Sequence, residues 1–214
     1  FLREWLDRMK AIYVAVSLPP EFRYPVTEPD EKARTGQAVL ERVILPVCEE
    51  RGLPFAMMIG ATRGVNPGLG GGGDMGGRAD VTSVTNLCRA FPNNKFFVTM
   101  LMRENQHELA VAARKFANLM PFGCWWFVNN PSLIDEITRM RMELLGTSFI
   151  PQHSDARILD QLLYKWDHSR KLIAGVLTDK YRDLAAAGWQ VTREQIERDV
   201  RLLLRDNFVN FVQR

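Results

Sequence analysis

The hydrophobic and polar positions of this 214-residue chain switch repeatedly between a helical period and short apolar runs. Residues 1–10 put Phe1, Leu2, Trp5, Leu6 and Met9 on one helical face. Residues 11–20 form a short β-rich run closed by Pro19 and Pro20. A helix is predicted over 30–52, with Gly52 as its stop and Pro46 as a point of start, bend or break. The second strand is predicted over 53–62 and the third over 94–102, separated by a helix over 80–92 with Asp80 as N-cap. The run 104–120 opens as a helix with acid in its first turn. A fourth strand follows over 120–128, then a helix over 130–146 with Pro131 in its first turn. The fifth strand is predicted over 147–152. A long helical stretch covers 154–188, broken at most once, and a last helix covers 192–212, where Thr192 and Gln195 form a capping-box pattern.

Near-continuous apolar strands, each followed by a helix, predict parallel pairing in an α/β protein. Two architectures fit: a doubly wound open sheet, or part of a (β/α)₈ barrel of the TIM type. A complete barrel takes roughly 250 residues and about eight strands. The count here is lower, and the chain opens at Phe1 already in helical period. The expectation is one domain over residues 1–214: the C-terminal part of a barrel, about strands four to eight, with extra C-terminal helices.

Composition narrows the partners. The chain is 46% hydrophobic, enough for a real core, and its net charge of +3 is spread without a polybasic run. No nucleic-acid partner is expected. No apolar stretch approaches the ~20 residues that span a bilayer, so no membrane partner is expected. Cys48, Cys88 and Cys124 lack paired spacing, which fits free thiols in a reducing, cytoplasmic compartment.

Active sites of parallel α/β folds gather at the C-terminal ends of the strands. There the chain offers Ser17; Thr62, Arg63 and Asn66; Arg103, Glu104 and Asn105; Trp125, Trp126, Asn129 and Asn130; and His153, Asp155 and Arg157. Each has a plain alternative. Asp155 is also a good helix N-cap, Arg157 a surface cation, His153 a hydrogen-bonded core residue and Arg63 a structural cation. On a strand, Trp125 and Trp126 point to opposite faces, one to the core and one to a pocket. His107 and His168 fall in helical runs and read as surface residues. Cys124 reads as packed rather than nucleophilic. The stretch 68–77 (GLGGGGDMGG) has glycine spacings that resemble a phosphate loop. It lacks the GK[ST] element and the strand–turn–helix context, so it reads as a flexible loop over the barrel mouth, a lid candidate.

From residue 53 onward the chain resembles the uronate (glucuronate) isomerases of the amidohydrolase superfamily. MIGATR lies at the second strand, RENQHE follows the third, WWF of CWWFVNNPS lies on the fourth and DAR of HSDAR on the fifth, with RDNFVNF near the end. The resemblance implies aldose–ketose isomerisation of hexuronates, glucuronate to fructuronate, in sugar-acid catabolism. It implies a sugar-acid ligand and a divalent metal, zinc or manganese. It casts Asp155 as metal ligand or proton shuttle, with His153 beside it as a catalytic group. Arg157 would hold the substrate carboxylate. Arg63, Asn105, Trp125 and Trp126 would line the substrate site.

Two departures stand out. The family's HxH metal pair has no counterpart in this chain. Met58 occupies a position where the family commonly has His, and a thioether is neither a base nor a good ligand for such an ion. An inactive sugar-acid-binding relative and a metal-dependent hydrolase are therefore the competing expectations. A partial barrel exposes sheet edges. The chain is expected to need a missing N-terminal segment or a homo-oligomer partner, and to be inactive alone.

Overall fold

The computed structural model describes residues 1–152, 156 and 158–213. Its centre is a parallel sheet of four strands: β1 (Val14–Leu18), β2 (Phe55–Ile59), β5 (Phe96–Met100) and β6 (Leu119–Pro121). The spatial order β1-β2-β5-β6 follows the chain order. A doubly wound sheet reverses its order at a switch point; no reversal occurs among the described residues. The sheet does not close on itself among them either.

Helices fill the crossovers. α1 (Leu2–Met9) precedes β1, and α2 (Glu31–Val39) and α3 (Leu45–Arg51) lead into β2. The π-helical segment Leu40–Ile44 joins α2 to α3 immediately before Pro46. Proline has no N–H to return to the turn before it, and widening the ladder there lets the helix run on instead of breaking. α4 (Val81–Ala90) starts at Asp80, whose side chain accepts from the Thr82 N–H as the capping pattern predicts. α5 (Gln106–Ala113) joins β5 to β6, and α6 (Pro131–Leu145) follows β6.

The stretch 154–188 contains one unbroken helix, α7 (Leu159–Ala186). α8 (Arg193–Arg201) has the full capping box: Thr192 Oγ1 accepts from the Gln195 N–H, and Gln195 Oε1 accepts from the Thr192 N–H. A π-helical segment, Leu202–Asp206, leads into α9 (Asn207–Gln213).

Two strand predictions need correction. The fourth strand spans only Leu119–Pro121. Pro121 cannot donate to the ladder and Gly123 turns the chain at φ 61°, so Trp125 and Trp126 lie beyond the strand. In place of a fifth strand there is one parallel bridge, Phe122 to Ile150. Pro151 has no N–H to extend it.

Strand side chains alternate between two apolar layers, as parallel strands buried on both faces require. Phe55, Met57, Ile59, Phe96, Val98 and Met100 pack outward with Leu45, Val84 and Leu87 of α3 and α4. Ala56 and Phe97 face the opposite side, where Phe208, Phe211 and Val212 of α9 cover them. Edge strand β1 is half-buried on the helix side, through Val14, Val16 and Leu18, while Ala15 and Ser17 on its other face are exposed. Cys48, Cys88 and Cys124 are free and buried.

Candidate functional site

The α9-covered face of the sheet holds a cleft of about 200 Å³. Its walls include Met58, Phe97, Phe122, Ile150, Gln152 and Phe208. Toward the C-terminal ends of the strands, Met58 continues into a cluster with Ala61, Leu101, Trp125 and Trp126. Trp125 is buried at 5% exposure. Trp126 is half-buried and sits at φ 47°, a conformation that costs a non-glycine residue energy. It stacks on Phe127 with ring centroids 4.5 Å apart. Of the two tryptophans, one is core and one is partly open, but a 3₁₀ turn (Trp126–Val128), not strand alternation, separates them.

The cleft's base is apolar, with unmatched polar groups at its rim and behind its wall. Gln152 lines it, and its Oε1 is buried without a hydrogen-bond partner among the described residues. Thr99 alternates onto the same sheet face as Phe97; it is fully buried and its hydroxyl has no partner among them. The Asn129 amide likewise has none among them at either oxygen or nitrogen. Such groups cost free energy unless water or a ligand meets them.

Arg63 follows β2 and is held by Asp74 across a small antiparallel hairpin, β3 (Ala61–Thr62) with β4 (Met75–Gly76). Its side chain is 69% exposed, while Asp74 is buried and also accepts from the Gly64 N–H at 2.8 Å. The end of the glycine-rich stretch, 73–77, is built into this hairpin, while 68–72 form an exposed 3₁₀ segment. Gly77 N–H donates to the Gly60 carbonyl at 2.8 Å, and Asn66 N–H donates to the Gly73 carbonyl at 3.0 Å. A Cβ on Gly73 would fall 1.8 Å from the Asn66 carbonyl oxygen, which explains the glycine there.

Asn105 does not present its amide to the cleft. It is 1% exposed, accepts from the Ala79 N–H at 3.0 Å and donates to the Ala79 carbonyl at 2.8 Å. Both ends are committed to backbone, so its expected substrate contact gives way to a structural role. Arg103 points to α6 and pairs with Glu136 at 2.9 Å. His153, Asp155 and Arg157 lie outside the described residues.

Burial pushes the Cys124 thiol up to about 11, against a smaller opposing pull from Arg141. A thiol held there is protonated at neutral pH, as its packed reading predicts. Among the described residues, no three His, Cys, Asp or Glu side chains gather as a metal site. On the cleft-lining face of β2, past Ala56, stands the Met58 thioether. The described residues therefore do not fit a divalent-metal centre by themselves.

A polar pair that the sequence reading missed lies behind the tryptophan wall. Arg141 of α6 is 1% exposed, yet no carboxylate pairs with it among the described residues. Its neighbour in the structure is Gln106, also 1% exposed. The sequence did carry a signal: Ile134, Ile137, Thr138 and Arg141 follow the i, i+3, i+4, i+7 pattern of a buried helix face.

Among solved structures, the chain is similar to uronate isomerases. It is similar over its whole length to a uronate isomerase from Bacillus halodurans C-125, with 58% identity and a TM-score of 0.93, and covers 49% of that chain. A uronate isomerase from Thermotoga maritima matches 98% of the chain at 14% identity with a TM-score of 0.82; 51% of that chain is covered. A glucuronate isomerase from Caulobacter crescentus matches 99% of the chain at 17% identity with a TM-score of 0.78; 49% of that chain is covered. At those identities the latter two speak for the fold alone. The chain thus spans about half the length of these relatives. No protein-family model and no curated protein matches it.

Proposed function

We propose that this chain, a relative of the uronate isomerases, is the C-terminal part of a (β/α)₈ barrel that isomerises hexuronates between aldose and ketose forms. The observation that carries the reading is the 58% identity over the entire chain to a uronate isomerase. The unreversed strand order supports the barrel, because successive right-handed βαβ units in sequential order build one. Residues 1–214 are one domain in this reading, completed by the barrel's remaining strands on the free edge of β1. The isolated chain is inactive because a barrel mouth needs loops from both halves.

The chemistry requires a base, an anchor and a shaped wall. A proton leaves the carbon beside the carbonyl, and one is returned to the former carbonyl carbon as the double bond moves through an enediol. Asp155 serves as the base candidate, with His153 beside it. Arg157 offers a planar fork to the substrate carboxylate. Trp125 and Trp126 wall the pocket, with Met58 between them and the cleft. Arg63, tied to Asp74, stands at the same ends of the strands.

A bound divalent ion, zinc or manganese, would supply carbonyl polarisation. Asp155 would be this chain's ligand to it, and no described residue completes the set. The substrate is a small sugar acid; among the described residues no helix is long and apolar enough to cross a membrane.

The test is Arg157→Ala in the complete barrel. KM for hexuronates should rise by about 10²-fold or more, as expected for losing a charge-assisted bidentate contact, while any weak turnover of neutral aldoses changes little. Equal effects on both substrates would remove Arg157 from the anchor role.

A further inference from the structure

The loops that follow β5 and β6 carry the tryptophan wall, and one buried polar bridge joins them. Arg141 Nη1 donates to the Gly123 carbonyl at 2.9 Å, two residues before Trp125. Arg141 Nη2 donates to Gln106 Oε1 at 2.9 Å. Gln106 Nε2 in turn donates to the Met100 carbonyl at 2.8 Å and the Met102 carbonyl at 3.0 Å. These two carbonyls flank Leu101, which packs in the same cluster as Trp125 and Trp126. One guanidinium and one amide thus fasten the ends of two neighbouring strands under the wall.

The cost of this arrangement points to a purpose beyond packing. Arg141 is fully buried, and among the described residues it has no counter-ion and its Nε meets no acceptor. Burial accordingly pulls its pKa below the usual arginine value. A buried cation held only by neutral acceptors is among the more expensive features a fold can keep, and an apolar residue would pack there more cheaply. What it secures is a loop that turns through Gly123 at φ 61° and carries strain at Trp126, φ 47°. The strand ends at Pro121, and past it the Gly123 N–H donates to the Ile150 carbonyl at 2.7 Å while the Gly123 carbonyl is held by Arg141, so the guanidinium fixes the side of the loop that the backbone bridge leaves open.

We propose that Arg141 and Gln106 are positioning residues that set the Trp125–Trp126 wall of the site, and through it the fit of the sugar acid. The last clause rests on the isomerase reading; the positioning itself does not. The guanidinium is needed because it alone spans the Gly123 carbonyl and the Gln106 amide with separate donors.

The three buried thiols give a direct test. Cys124 adjoins the Gly123 carbonyl, whereas Cys48 and Cys88 belong to the core on the helix side of the sheet. In the purified protein, iodoacetamide labelling is followed at each cysteine by peptide mass spectrometry. The variants are Arg141→Gln, Arg141→Lys and the milder Gln106→Met. Opening the loop should speed labelling of Cys124 by at least about tenfold, because exposure frees a thiol that burial keeps protonated.

Cys48 and Cys88 should stay protected in Arg141→Gln and Gln106→Met. The near-ultraviolet circular dichroism of the Trp125–Trp126 pair, whose centroids lie 6.0 Å apart, should weaken in parallel. Arg141→Lys should fall between wild type and Arg141→Gln, keeping the charge and one donor direction. An unchanged Cys124 rate and tryptophan signal would overturn the proposal. So would equal acceleration at all three cysteines in the mild Gln106→Met variant, which would make the bridge a general support of the fold. Hexuronate binding plays no part in these readouts, so failure of the isomerase reading would leave them intact.

Discussion

Truncating Phe97 to Ala should undo the packing between the sheet and α9. Phe97 is 3% exposed and faces the cleft side of β5. Its ring meets Phe208 nearly parallel at 5.6 Å, Phe211 at 4.8 Å, Phe122 edge-on at 6.0 Å and Tyr13 edge-on at 6.5 Å. Removing a buried Phe side chain typically costs about 3–5 kcal/mol through lost transfer energy and the cavity left behind. Aromatic pairs add roughly 0.5–1.5 kcal/mol each beyond area, so a ring with several partners belongs at the upper end, about 4–5 kcal/mol.

The loss should also be local. α9 is otherwise held by Asn207 Nδ2, which donates to the Thr147 and Phe149 carbonyls at 2.6 and 2.8 Å, and by Lys95 Nζ donating to the Val212 carbonyl at 3.3 Å. Urea unfolding gives the stability change, and hydrogen exchange over 207–213 reads the docking of α9. Leu163→Ala, at a side chain 70% exposed, is the control and should change stability by no more than about 0.5 kcal/mol. A Phe97→Ala loss below about 1.5 kcal/mol, with α9 protection unchanged, would refute the view that this face is a packed layer.

Further outcomes follow from the caps, the hairpin and one carboxylate. Thr192→Ala should cost about 1 kcal/mol and loosen exchange protection at the start of α8, since it removes one half of the capping box. Gly60→Ala should destabilise the hairpin: the backbone is at φ 115°, and the new Cβ would sit 2.9 Å from the Gly77 carbonyl oxygen, which proteolysis within 63–77 would report. Asp80 feels burial, which raises its pKa, but hydrogen bonds from Ser83 and Thr82 outweigh this and hold it below 3.8. A depressed carboxylate contributes stability above its unfolded pKa and loses it as pH falls through the folded one. Stability should therefore drop below about pH 4, and Asp80→Asn should flatten that part of the profile, measured by urea midpoints across pH.

The α/β alternation was legible because helical and strand periods differ in the side chains themselves. The Asp80 cap and the Thr192–Gln195 box were legible for the same reason: they are local chemistry. What failed was set by backbone donors. Pro121 and Pro151 end ladders that apolar runs alone would extend, which moved Trp125 and Trp126 off the strand. The glycine stretch reads as a flexible loop because its residues have no side chains to pack, and 68–72 are exposed; what the pattern does not show is that Gly73 and Gly77 let backbone and Pro20 come close. Asn105 stood in the expected place, but which partner its amide takes is decided by Ala79, distant in the chain. Arg141 was passed over because arginine in a helix is usually solvated, although its position on the stripe of Ile134 and Ile137 marked it as buried.

The most direct test of the isomerase reading is to incubate the complete barrel protein with D-glucuronate in D₂O and follow the sugar by NMR. Proton transfer between neighbouring carbons predicts a ketose product, with loss of the aldose C2 proton signal and solvent deuterium in the equilibrated sugars. An intact glucuronate spectrum, with or without added zinc or manganese, would contradict it, and would do so most clearly if the same protein hydrolysed an ester or lactone.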